Sequence, residues 1–231
     1  MSKQTSADNP RRNTVTEQMT QAGQKIEHGS FAIVDAEAGD RSAYTAEQWP
    51  LVRRMIHATA DFAFNGLTEF HPQAMQAGLA AIQSGALIIA DVDMICVGLS
   101  RPRLAYFGVQ AQQFIADDDV ITTAKAENTT RAVQAMRKAW RLGLLDGAII
   151  GIGNAPTALL EVLRLIQEEG VRPALIVGMP VGFVSAEASK DALATCDSVP
   201  WVITRGRKGG STLVVSAIHA MLALAEEQQG A

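Results

Sequence analysis

Apolar residues in this chain gather in short unbroken runs. Each run is followed by a loop rich in glycine or proline and then by a segment with helical spacing. The pattern recurs three times in the second half, with runs at 148–152, 174–177 and 201–203. The loops that follow are Gly153-Asn154-Ala155-Pro156-Thr157, Gly178-Met179-Pro180-Val181-Gly182 and Gly206-Arg207-Lys208-Gly209-Gly210-Ser211. An unbroken apolar run suits a strand covered on both faces. Strand, loop and helix in series form the unit of a parallel α/β sheet, in which ligands sit in the crevice outside the strands' carboxyl ends. These three loops are therefore the first place to look for chemistry.

The rest of the chain extends the pattern. Residues 86–90 form another buried-strand run, ending in Asp91-Val92-Asp93, and residues 104–109 are a second candidate strand. Residues 30–34 look like a short extended piece entering the fold. A helix is expected over about 47–59, where Trp49, Val52, Met55, Ile56 and Thr59 recur at helical spacing and Pro50 falls in the first turn. Further helices are expected over about 72–84, 120–126, 130–141 and 210–227. The predicted class is α/β: a mostly parallel sheet flanked by helices, Rossmann-like and doubly wound. It forms a single domain over 26–231, after a flexible polar tail over 1–25 that lacks the apolar core of a signal peptide.

Composition narrows the function classes. At 231 residues, 48% hydrophobic and 19% charged, the chain is long and apolar enough for one large globular core. A net charge of −4 and only 5% aromatics argue against nucleic acid as a partner. No apolar run is long enough to cross a bilayer. Cys96 and Cys196 are far apart and form no zinc or redox motif, which fits a reducing cytoplasm.

Several motifs carry possible chemistry. Gly151-x-Gly153-x-x-Pro156 approaches the dinucleotide fingerprint, but its third glycine is Pro156, and the next run ends at Gly178 where a ribose-binding acid is expected. A nucleotide-dependent oxidoreductase stays open as an alternative. Pro156 suits a first helical turn that Asn154 or Thr157 could cap, and the amides there could take a carboxylate. In the 206–211 loop, glycine lets backbone approach a ligand, Arg207 and Lys208 supply charge, and Ser211 can cap the next helix. Arg131, after Thr130, opposes the dipole of its helix. It is either exposed or aimed at a substrate carboxylate. Lys190 poses the same choice, and a solvated side chain is expected for it. His57 lies three or four residues from Arg53 and Arg54, cations that would lower its pKa and leave it poised to exchange a proton. His28, His71 and His219 have no such charged company, and no histidine pairing suggests a metal. Asp91 and Asp93 read as bases, substrate acceptors or helix caps, with capping favoured.

Taken in order, the segments resemble the precorrin-8X methylmutase family, also called cobalt-precorrin-8 methylmutase, of cobalamin biosynthesis. The resemblance spans about 26–225 and rests on Ser30-Phe31, Arg54-Met55-Ile56-His57-Ala58-Thr59, Asp91-x-x-Met94-x-x-x-Gly98, Thr130-Arg131, Gly153-Asn154-Ala155-Pro156-Thr157-Ala158-Leu159, Pro180-Val181-Gly182-Phe183-Val184, Ser189-Lys190 and the 206–211 loop. It implies an isomerase that moves a methyl group from C-11 to C-12 of a corrinoid ring without a redox cofactor or metal catalyst. It implies His57 as proton donor, and substrate contacts at Ser30, Arg131 and Lys190. Arg54, Thr59, Asp91, Thr130, Asn154, Pro156, Thr157, Gly182, Phe183, Arg207, Lys208, Gly209, Gly210 and Ser211 lie within the matched motifs as further substrate-binding candidates. It also implies a homodimer with active sites beside the interface. A non-catalytic corrinoid carrier is the other alternative. The chain departs from the family pattern at Ala60, where glycine is usual, at Ala132, often serine, and at Glu187-Ala188, where the acid before Ser189-Lys190 is displaced.

Overall fold

The computed structural model describes residues 20–230. The expected tail over 1–19 lies outside the described residues, but residues 21–25 already belong to the first helix. The elements run α1 (Gln21–Glu37), α2 (Trp49–Thr59), α3 (Phe64–Leu67), β1 (Thr68–Phe70), α4 (Ala74–Gln83), β2 (Ile88–Ala90), α5 (Asp93–Gly98), α6 (Arg101–Tyr106), β3 (Ala111–Gln112), α7 (Asp118–Ala126), α8 (Arg131–Arg141), β4 (Ile149–Ile152), α9 (Pro156–Glu168), β5 (Leu175–Gly178), α10 (Ala186–Ala194), β6 (Trp201–Thr204) and α11 (Ser211–Gly230).

The six strands are ordered β1-β6-β5-β4-β2-β3. All neighbours are parallel except the edge pair β1 and β6. Alternate residues of each strand face opposite sides, so the sheet feeds two cores. Ile88, Ala90, Ile149, Leu175, Val177 and Val202 face α2, α4 and α11. Ile89, Ile150, Ile152, Ile176 and Ile203 face α8, α9 and Leu193 of α10. Every residue of β2, β4, β5 and β6 is buried, the reason those runs are unbroken in the sequence. Chain direction across the sheet reverses between β2 and β4: from β2 the path goes out to β3, then returns to β4, β5 and β6.

Two expected strands are helical. Residues 30–34 lie inside α1, which is capped by Thr20 through an N–H bond from Gly23. A five-residue window of Phe, Ala, Ile and Val hides a helical period. Glu27 and Val34 face inward, whereas Ile26 and Ile33 are 71% and 58% exposed. Residues 104–106 close α6, which starts after Ser100 with Pro102 in its first turn, and Leu104 N–H bonds the Ser100 carbonyl at 3.0 Å. The pairing strand follows later and is only Ala111–Gln112. The short antiparallel β1 was not expected from the sequence.

Candidate functional site

The three loops at the carboxyl ends of β4, β5 and β6 are joined main chain to main chain. Met179 N–H bonds the Ile152 carbonyl at 2.8 Å, Gly210 N–H bonds the Met179 carbonyl at 2.8 Å, and Gly182 N–H bonds the Arg207 carbonyl at 3.2 Å. Glycine is required where the loops cross. A Cβ on Gly153 would come within 2.6 Å of the Ser211 backbone, and one on Gly209 would overlap the Met179 carbonyl. The loops thus form one platform.

At the switch between β2 and β4 the fold makes the ligand crevice common to such sheets. Here it is filled by Asp91. Its fully buried carboxylate accepts N–H bonds from Gly153 at 3.1 Å, Asn154 at 2.8 Å and Ala155 at 2.7 Å. Burial raises the Asp91 pKa above its ordinary value, although the three amides pull it down. Two expectations change. The α9 amides that looked free to bind an anion already hold one from within the chain, and neither Asn154 nor Thr157 caps α9. Asp91 is a structural acceptor, closed to substrate. A dinucleotide pyrophosphate would need the same amides, so the fold offers it no seat there.

Beside this plug, the helix starts of α8 and α9 touch through the Thr130 and Thr157 hydroxyls, 3.1 Å apart. Thr130 caps α8 by accepting from Val133 N–H at 3.2 Å. Arg131 is exposed there and forms no ion pair among the described residues. Asn154 is exposed, and Pro156 and Thr157 are half-buried. Across the platform, Arg207 is exposed with its guanidinium 5.5 Å from the ring of Phe183, itself 86% exposed. Gly182, Phe183 and Arg207 line a cleft of about 350 Å³ whose other walls include Glu187 and Asp191. Ser211 is buried at the start of α11 behind Gly209 and Gly210.

His57 is exposed at the carboxyl end of α2. Its ring meets Phe31 of α1 edge-on at 5.3 Å, and the Arg53 and Arg54 guanidinium groups lie 4.5 and 5.3 Å from the Phe31 ring. The arginines are not bare cations. Arg53 pairs with Asp35 at 2.9 Å and Arg54 with Glu27 at 3.2 Å. The cluster near the imidazole is charge-compensated, and Arg54 is engaged within the protein. Ser30 lies one residue before Phe31, its hydroxyl donating to the Ile26 carbonyl at 2.9 Å. Thr59 likewise donates to the Met55 carbonyl at 2.8 Å.

An ion pair joins these two regions. After His57 the chain leaves α2 through Ala60, in the left-handed region at φ 54°, and reaches Asp61, which pairs with Lys208. The Lys208 ammonium also lies 5.9 Å from the Phe64 ring. Asp61 had no signal in the sequence, since its partner is 147 positions away.

Two further expectations are corrected. Lys190 is fully buried, and its ammonium donates to the Lys208 carbonyl at 2.8 Å. It is not the solvated side chain expected, nor a free cation facing the crevice. Burial pulls its pKa down to about 8. His219 does have charged company. Its Nε2 accepts from Ser100 N–H at 3.0 Å, and burial, with Arg103 and Arg54 nearby, pulls its pKa down to about 4.

The fold and site define an α/β protein with a cation-rimmed platform at its strand ends, an exposed imidazole tied to that rim, and its dinucleotide crevice closed. The precorrin-8X methylmutase family model matches residues 25–224. A cobalt-precorrin-8 methylmutase from Leptospira interrogans is 49% identical over 91% of this chain and 98% of that protein. Another from Priestia megaterium is 47% identical over 90% of this chain and 91% of that protein. The crystal structure of precorrin-8X methyl mutase from Thermus thermophilus superposes with a TM-score of 0.83 at 52% identity, covering 89% of this chain and 98% of that one. The chain belongs to the precorrin-8X methylmutase family, and is an isomerase of cobalamin biosynthesis. No helix among the described residues is long and apolar enough to cross a membrane.

Proposed function

We propose that this chain moves the C-11 methyl group of a precorrin-8-type corrinoid to C-12, with His57 as the proton donor. The observation that carries the reading is the Asp61–Lys208 pair, which fastens the helix end bearing His57 to the cationic turn at the strands' carboxyl edge. The substrate is a flat macrocycle fringed with carboxylates. Arg131 and Arg207 suit that fringe, with Lys208 held by Asp61 in the same turn as Arg207, and the exposed ring of Phe183 suits its face. The imidazole lends a proton to the macrocycle and draws electron density from the carbon that carries the methyl. The bond to C-11 breaks as the bond to C-12 forms, and the proton returns to His57. Nothing is gained or lost overall, so no redox partner enters the balance. A proton donor held in place and a tightly oriented ring are the two contributions such a shift requires.

The cleft of about 350 Å³ is too small for the whole ring. We place the ring across the open rim, with a second subunit completing the seat in a cytoplasmic homodimer. Val181, Phe183 and Val184, 46%, 86% and 82% exposed on that rim, are the side chains a partner or ring face would cover.

The test is to incubate purified protein with the metal-free and the cobalt-bearing precursor and follow their absorbance spectra. Conversion of either supports the reading and identifies the substrate. Binding of both with no rearrangement in a single turnover would show a corrinoid carrier instead.

A further inference from the structure

Lys190 is a fully buried cation that the proposed methyl shift does not use. It projects from α10, and its ammonium donates to the Lys208 carbonyl at 2.8 Å. The hydroxyl of Thr204, the last residue of β6, donates to the same oxygen at 2.8 Å. At the other end of the same residue, the Lys208 ammonium pairs with Asp61, four positions after His57. Lys208 is therefore gripped by main chain and by side chain, from opposite parts of the fold.

A buried amine is unfavourable unless something in the interior requires its hydrogen bond. An apolar side chain of similar length would fill the space without that cost. Glu187 and Asp191, on the same helix, favour the charged form of Lys190 only from a distance, and Asp191 is already paired with Arg205 at 2.6 Å. What the amine supplies is the bond to Lys208. The turn it holds also bonds the neighbouring loops, through Gly210 N–H to Met179 and through Gly182 N–H to the Arg207 carbonyl.

We propose that Lys190 and Asp61 are positioning residues: they hold Lys208 by its carbonyl and its ammonium, and so fix the cationic turn against the helix end that carries His57. The kinetic consequence rests on the methylmutase reading; the structural consequence does not.

The variants to compare with wild type are Lys190→Met, Asp61→Asn and the pair together, all in the full chain. Amide hydrogen exchange at Gly182 and Gly210 is expected to speed up by about tenfold in each single variant. Under turnover, kcat is expected to fall by about tenfold with KM within about twofold, the mark of lost alignment rather than lost affinity. The double variant is expected to be no slower than the slower single one, because both act through Lys208. Unchanged exchange in Lys190→Met would overturn the proposal. So would a rise in KM at constant kcat, which marks direct contact with substrate. If wild type rearranges neither precursor, the functional reading fails, and the exchange data still decide whether the latch exists.

Discussion

The two halves of the site are held in different ways. The loop platform at β4, β5 and β6 is fixed by backbone hydrogen bonds and by glycines at points of near contact. The half that carries His57 is fixed by side chains: Glu27 on Arg54, Asp35 on Arg53, and the Phe31 ring that both arginines approach. Main-chain bonds tolerate most side-chain changes but not an added Cβ at a crossing. Charge pairs answer to pH and to salt. The backbone-locked loop crossings should therefore keep their shape over a wide range of conditions, while the seat of the imidazole, and the Lys208 turn that Lys190 and Asp61 hold, should not.

The sharpest way to break the platform is Gly209→Ala. The added carbon overlaps the Met179 carbonyl, a backbone atom that cannot turn aside. We expect a loss of about 3 kcal/mol in denaturant unfolding. A variant as stable as wild type would show that the loops are not locked together.

The helical half should respond to acid. The His219 pKa is lowered from 6.5 to about 4, so the folded protein holds this ring neutral. Its contribution is complete above the unfolded pKa and is lost as pH falls through the folded one. At about 1.36 kcal/mol per unit, stability should drop by about 3 kcal/mol between pH ~6.5 and ~4. His219→Gln, which keeps an acceptor for Ser100 N–H, should flatten that part of the profile. An equally steep fall in the variant would place the sensitivity elsewhere.

The smallest effect tests the joint between the halves. Ala60 takes the left-handed conformation, φ 54° and ψ 27°, that closes α2 just before Asp61. Glycine adopts it without strain, although it also gives the unfolded chain more freedom. Ala60→Gly should raise stability by about 0.5 kcal/mol in thermal or denaturant unfolding. A clear loss would mean that the Ala60 methyl makes a contact worth more than the strain.

What could be read from the sequence follows the same division. The buried strands showed themselves because a strand covered on both faces must be apolar throughout, and the loops after them showed themselves through glycine and proline. The helical half was harder to read. Residues 30–34 resemble a strand until Glu27 and Val34 are seen to share a face, and residues 104–106 do so until Pro102 is recognised as opening a helix. Pairings over long separations left no local trace. Asp91 reaches amides at 153–155, and Asp61 reaches Lys208. Lys190 reads as solvated because lysine is rarely fully buried, and nothing nearby in sequence signals the carbonyl that keeps it there.

The central claim is that His57 supplies the proton to a ring seated on the cationic rim. It is tested most directly by single-turnover rearrangement of the precursor with His57→Ala, alongside titration of the corrinoid product onto the same variant. The expected result is a fall of about a hundredfold or more in the rearrangement rate with product affinity within about threefold of wild type. Rearrangement at the wild-type rate would contradict the account.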